Sequence, residues 1–274
     1  MNFGVSSLVF LPEPLQSSME KIAESHFDCW EIVCEGHHQL NPKNVKYLME
    51  LKNTYDVDIA VHAPFSDLNP ASMNIKVRKL TIQCITEAIE GAFELDGRVV
   101  TVHPGYIPVL WSNYRDEILD NNFSTLNEIV EVAEDYGIMI GLENMPNYPG
   151  VLGVTLEDLR EMVKDIKSKY LGITLDIGHG NTAISNSTSS SCKSLEEYIY
   201  QLNNVGEGII HVHCHDNHGK EDEHLNLGEG NINFINVFKE LKEINYNGIL
   251  SFESKNLRDA IKSRDFAKKI LSNI

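Results

Sequence analysis

The chain has 274 residues, 42% hydrophobic and 23% charged, with 40 acidic against 23 basic side chains and a formal net charge of −17. That length suits one large domain or two small ones, and the composition is that of an ordinary globular protein. No run of about eighteen apolar residues exists, so no membrane span is expected. The acidic surface disfavours a nucleic-acid partner unless bound cations invert the charge locally.

The N-terminus, MNFGVSSLVFLPEPL, has no positively charged region and no small-residue cleavage site, so it reads as a first strand and loop, not a leader. Five scattered cysteines (Cys29, Cys34, Cys84, Cys192 and Cys214) form no CxxC. An odd, unpatterned set suits reduced thiols and points to the cytoplasm.

In chain order, β-rich runs predict strands at Asn2–Ser7, Cys29–Val33, Asp58–His62, Val99–His103, Ile138–Glu143, Gly172–Asp176, Ile209–His213 and Ile249–Glu253. Helical periodicity falls between them. From Met73 to Leu95 the apolar positions are Ile75, Leu80, Ile82, Ile85, Ala88, Ile89 and Phe93; Phe123 to Tyr136 carries Leu126, Ile129, Val130 and Ala133 on one face. Leu156–Ile166 and Phe234–Ile244 behave alike. Thr155 with Asp158 three residues on is an acidic capping box. Ser124 reads as a helix start, and Gly137 as its C-terminal cap. The polar stretch TAISNSTSSSCKS (182–194) reads as a mobile loop.

Eight strands alternating with helices over about 250 residues predict an α/β fold, a TIM (β/α)8 barrel built as a single domain over 1–274. A doubly wound open sheet is the competitor, but it usually carries a glycine-rich loop after its first strand. Here that position reads VSSLVFLPEP.

Active sites of such barrels sit at the C-terminal ends of the strands. Strands three to eight end at His62 (VHAP), His103 (VHPG), Glu143 (LEN), Asp176 (LDIGH), His213 and Glu253 (SFES). One such residue alone is most often a satisfied polar group. Six in succession are not, because carboxylates converging on one mouth repel unless cations hold them. Imidazole and carboxylate together suit zinc, manganese or iron.

The densest stretch, HVHCHDNHGKEDEHLNLGEG (211–230), holds five of the eleven histidines. Period-two alternation puts His211 and His213 on one face. His213, nearer the mouth, is the better ligand; His211 lies deeper, as a supporting or core residue. Asp222 and His224 follow on a short turn, and His179 reaches the same site from the loop after Asp176. Asp216 is read as orienting a ligand, His215 is left open, and His218 is read as solvated.

These motifs, in order at strand ends, resemble the xylose-isomerase-like barrel superfamily, which holds sugar and sugar-phosphate isomerases and epimerases with the endonuclease IV branch of abasic-site nucleases. The resemblance covers most of the chain: HAP at 62, HPG at 103, LEN at 142, LDIGH at 175, HVHCHDN at 211, DEH at 222, LGEG at 227 and FE at 252. In the epimerase-like branch it implies one divalent ion on Glu143, Asp176, His213 and Glu253, with both glutamates moving protons and His179 touching substrate oxygen. In the endonuclease branch it implies three zinc ions on His62, His103, Glu143, Asp176, His179, His213, Asp222, His224 and Glu253.

Against the nuclease stand Phe65, in the place of that branch's tyrosine, and the loop EIVCEGHHQ, which lacks an arginine-bearing recognition segment. Glu31 resembles an acidic residue ending strand two in the sugar branch.

The preferred reading is therefore a divalent-metal-dependent sugar or sugar-phosphate isomerase or epimerase. It would work by proton transfer through an enediolate, with Glu143, Glu253 and His179 catalytic and one to three ions (zinc, manganese, or iron, magnesium or cobalt) as cofactor. The alternative is a zinc phosphodiesterase cleaving DNA at abasic sites. A binding-only barrel ranks last. Lys220, Lys255 and Arg258 are read as solvated surface charges, and a homodimer is the default expectation.

Overall fold

In the computed structural model, which describes residues 1–186 and 192–274, eight parallel strands close into a barrel in sequence order. They are β1 (Asn2–Ser6), β2 (Cys29–Val33), β3 (Asp58–His62), β4 (Val99–Val102), β5 (Met139–Glu143), β6 (Leu171–Asp176), β7 (Ile209–Cys214) and β8 (Ile249–Phe252). Closure is made by β8 on β1, from Asn2 opposite Ile249 to Val5 opposite Phe252. Strands in a parallel barrel are covered on both faces, so they read as almost continuous apolar runs. β4, Val-Val-Thr-Val, is buried throughout.

Helices α1 (Leu15–Ala23), α2 (Pro42–Tyr55), α3 (Ile75–Glu94), α4 (Arg115–Tyr136) and α5 (Leu156–Val163) wrap the first half of the barrel. α6 (Ile177–Asn186), α7 (Leu195–Leu202), α8 (Phe234–Glu243) and α9 (Leu257–Leu271) wrap the second. Their inward stripes, such as Leu126, Ile129, Val130 and Ala133 on α4, join the strands' outer faces in one apolar core. Thr155 caps α5 by accepting from the Asp158 N–H, and Gly137 ends α4 at φ 70°.

Three sequence expectations are corrected. Ser124 lies inside α4, which starts nine residues earlier with Asp116 and Glu117 in its first turn, where carboxylates oppose the helix dipole favourably. On α3, Ile85, Ala88 and Ile89 are buried, but Ile75, Leu80 and Phe93 are about half exposed. Phe93 packs on Tyr136 of α4 instead of the core. Residues 182–186 of the expected loop belong to α6, and 187–191 lie outside the described residues.

Inside the barrel a polar layer underlies the mouth. Thr101 and Thr174 share a hydrogen bond of 2.9 Å. Gly141 permits it, since a Cβ there would fall 2.1 Å from the Thr174 hydroxyl. Among the described residues no helix is long and apolar enough to cross a membrane.

Candidate metal centre

Alternation along each strand turns Glu31, Glu143, Asp176, His211 and His213 into the barrel, where each is at most 1% exposed. His103 and Glu253 stand one residue past β4 and β8, while β3 ends on His62. All nine residues singled out as ligands meet at this one mouth, in three adjoining groups.

In the first group Glu143 Oε2 lies 2.9 Å from His103 Nε2 and 3.3 Å from His62 Nε2. The second gathers around His213 Nδ1, which is 3.1 Å from Glu143, 3.7 Å from Glu253 and 3.9 Å from Asp176. In the third, Asp222 Oδ2 lies 3.2 Å from His179 Nε2 and 3.1 Å from His224 Nε2. His215 Nε2 joins it, 3.4 Å from the other Asp222 oxygen and 3.1 Å from Asp176. Glu143 belongs to two groups, and Asp176 connects the second with the third.

Main-chain carbonyls orient several of the imidazoles. His62 Nδ1 lies 2.8 Å from the Ala63 carbonyl, His179 Nδ1 2.9 Å from that of Asn144, and His224 Nδ1 3.2 Å from that of Glu253. Each ring donates there and turns Nε2 to a carboxylate. Asp176 is fixed from behind: its side chain accepts from the His179 amide, and its own backbone N–H donates to the Asn144 side-chain carbonyl.

The groups polarise one another. Burial pushes the Glu143 carboxyl up, but His103 and His213 outweigh it and hold it well below the usual carboxylate range. Burial likewise opposes charge on His179, yet Asp176 and Asp222 raise it to about 10; Asp222 raises His224 to about 9. His213 is raised well above the ordinary histidine value by Glu31, Glu253 and Glu143 against its burial.

Even so, Glu143 Oε2, Asp176 Oδ2, Asp222 Oδ1 and both nitrogens of His215 are buried without a hydrogen bond among the described residues. Buried polar atoms rarely stay unsatisfied. Five concentrated on mixed oxygen and nitrogen donors fit divalent cations.

Two residues carry more than the sequence suggested. His215, left open, packs its ring where a Gly178 Cβ would fall 2.0 Å from it and stacks on His224 at 4.0 Å. The signal was available: His211, His213 and His215 continue one period-two face. Glu31 is not at the end of β2 but in its middle, with Oε1 2.9 Å from His213 Nε2 and 3.4 Å from His211 Nε2. Burial raises this carboxyl, but His213 and His211 together hold it well below its ordinary range.

The Asp216 side chain bonds none of the candidate ligands and acts on them only through their loop. It accepts from the backbone N–H groups of Asn217, Gly228, Gly230 and Ile232, and so pins the base of the loop that presents Asp222 and His224. Asp216→Ala would orphan four donors. The expected cost is about 1.5–3 kcal/mol, measured by chemical denaturation, with faster proteolysis between 217 and 230. A stability within error of the wild type would remove this anchoring role. His218 is exposed and paired with Glu223, and Lys220, Lys255 and Arg258 are exposed as expected.

A cavity of about 240 Å³ adjoins the candidate ligands, walled on its apolar side by Leu8, Val33, Phe65, Met145 and Pro146. Phe65 stacks on His103, with ring centroids 4.7 Å apart. No lysine or arginine is among the described residues lining it.

The family model described as xylose isomerase-like TIM barrel matches residues 19–270. The chain is 68% identical to the uncharacterized protein MJ1311 of Methanocaldococcus jannaschii, over 99% of this chain and 89% of that one. A solved D-tagatose 3-epimerase-like protein is 67% identical, with a TM-score of 0.94 over 100% of this chain and 98% of the other. D-psicose 3-epimerase from Clostridium cellulolyticum, 18% identical, shares the fold at a TM-score of 0.81 over 99% of each chain. A probable endonuclease 4 of Mycoplasma pneumoniae is 25% identical over 70% of this chain and 66% of its own length.

Proposed function

This chain belongs to the xylose isomerase-like TIM barrel family, and we propose that within it the protein is a divalent-metal-dependent epimerase or isomerase of small, unphosphorylated sugars. The observation that carries this reading is the set around His213 Nδ1, where Glu143, Asp176 and Glu253 converge beside an apolar-walled cavity. Those four residues would hold an ion, which when bound polarises a carbonyl and its neighbouring hydroxyl.

The chain's own groups do the rest. Glu143 and Glu253 stand at the ends of different strands, so one takes a proton from the carbon beside the carbonyl and the other returns it. His179, its Nδ1 on the Asn144 carbonyl and its Nε2 3.2 Å from Asp222, lines the cavity and would hold a sugar oxygen. Leu8, Phe65 and Met145 pack on the carbon skeleton and keep water from the reacting centre. Among the described lining residues there is no lysine or arginine to pair with a phosphate, which favours a neutral sugar over its phosphate.

One observation favours a second reading. His179, His215, Asp222 and His224 make a further group able to hold an ion, beyond what proton transfer at one carbon needs. Three ions would suit phosphodiester hydrolysis, and Glu143 belongs to two of the groups that would hold them.

Elemental analysis of protein purified without chelator, followed by a panel of D-tagatose, D-psicose, their phosphates and an abasic-site duplex, separates the readings. Turnover of a free ketose that disappears on chelation is expected. Incision of the duplex with no ketose turnover would replace the first reading by the second.

A further inference from the structure

We propose that Glu31 is a positioning residue that fixes His213 to present Nδ1 to the metal. The inference rests on the metal-dependent reading above and extends it to a residue outside the ligand set.

His62, His179 and His224 each place Nδ1 against a main-chain carbonyl and Nε2 toward a carboxylate. His213 is turned the other way. Its Nδ1 faces Glu143 at 3.1 Å, and its Nε2 points down into the barrel. A neutral imidazole carries one N–H, so whichever nitrogen finds the acceptor decides which lone pair is offered. Below the mouth the carbonyls of neighbouring strands are spent on the sheet. The acceptor for His213 has to be a side chain.

Glu31 supplies it. Oε1 lies 2.9 Å from His213 Nε2, while Oε2 accepts from the Ser251 hydroxyl of β8, and His211 Nε2 stands 3.4 Å away. β2 is not a neighbour of β7 in the barrel, so the carboxylate crosses the interior to reach this ring. It is fully buried and does not line the cavity, so any effect on a ligand there passes through His213. A carboxylate behind a ligating histidine fixes the ring's tautomer and raises its basicity.

Zinc(II) affinity, by competition with a chromophoric chelator, is to be compared for wild type, Glu31→Gln and Glu31→Leu. Melting temperatures of the chelator-treated proteins and nitrogen-15 histidine spectra of the zinc-loaded wild type complete the experiment. Glu31→Leu is expected to weaken zinc binding about 10–100-fold. Glu31→Gln, which still accepts at its carbonyl, should lose less. The spectra should show His213 protonated at Nε2 and metal-shifted at Nδ1.

Unchanged affinity in a folded Glu31→Leu protein, or a proton on Nδ1, overturns the proposal and leaves the metal reading standing. A wild type that takes up no zinc overturns both. Should Glu31→Leu fail to fold, Glu31→Gln and the wild-type spectra decide.

Discussion

Glu143→Gln is expected to lower ketose turnover by about 10²–10⁴-fold, the usual contribution of a positioned acid or base, and to weaken metal uptake as well. The carboxylate lies against His62 and His103 with one oxygen and His213 and His179 with the other. Glutamine keeps the shape but offers one acceptor and an NH₂ that turns donors toward imidazole lone pairs. Two ligand groups therefore lose their shared anion, while a general base is lost from the cavity.

Glu253→Gln makes the control. Glu253 stands 3.7 Å from His213 and 3.9 Å from His224, in contact with neither His62 nor His103. Its loss should reduce turnover on the same scale while sparing the His62–His103 group. Steady-state rates beside elemental analysis of each variant read both effects. If both variants kept full metal content and full turnover, the assignment of this site would be wrong.

The barrel was legible because its physics is local. A strand covered on both faces is mostly apolar along its length, so the bounds of β2 and β3 could be read from the sequence. Five of the nine candidate ligands, His62, His103, Glu143, Asp176 and Glu253, end or directly follow such a run, and His213 stands one residue before the end of β7, so their convergence on one rim could be read from position. What escaped depended on contacts between distant segments. Whether Ile75, Leu80 and Phe93 are covered depends on which helix packs beside α3, and their periodicity cannot say. His215 needs the empty side of Gly178, 37 positions upstream, to admit its ring. Glu31 looked like a strand-end carboxylate because its partners, His213 and Ser251, lie 182 and 220 residues away. Asp216 sits among ligand-type residues and reads as orienting one of them directly. Only the fold shows that its oxygens are taken by the backbone of the LGEG segment.

Removing the metal is expected to reverse the sign of the protein's pH dependence between about pH 6.5 and 10, since an unperturbed histidine titrates at roughly 6.5. Without an ion, His179 is held at about 10 and His224 at about 9 by their carboxylate neighbours, and His213 is raised as well. A folded-state pKa above the unfolded one gives stability that is full below the unfolded value and lost as pH rises through the folded one. The melting temperature of the chelated protein should therefore fall steadily across that window.

The loaded protein obeys the opposite rule. A ligating nitrogen must be deprotonated, so binding releases protons and tightens as pH rises. At a free metal concentration a hundredfold above Kd, one ion adds about 2.7 kcal/mol, or roughly 5–10 °C for a chain of this size. The gap between loaded and chelated melting curves should thus be smallest near pH 6.5 and widen toward pH 9. Parallel curves would mean that ion and protons do not compete for the same imidazoles. In that case the charged network at the mouth would be a structural ion-pair lattice and not a metal centre.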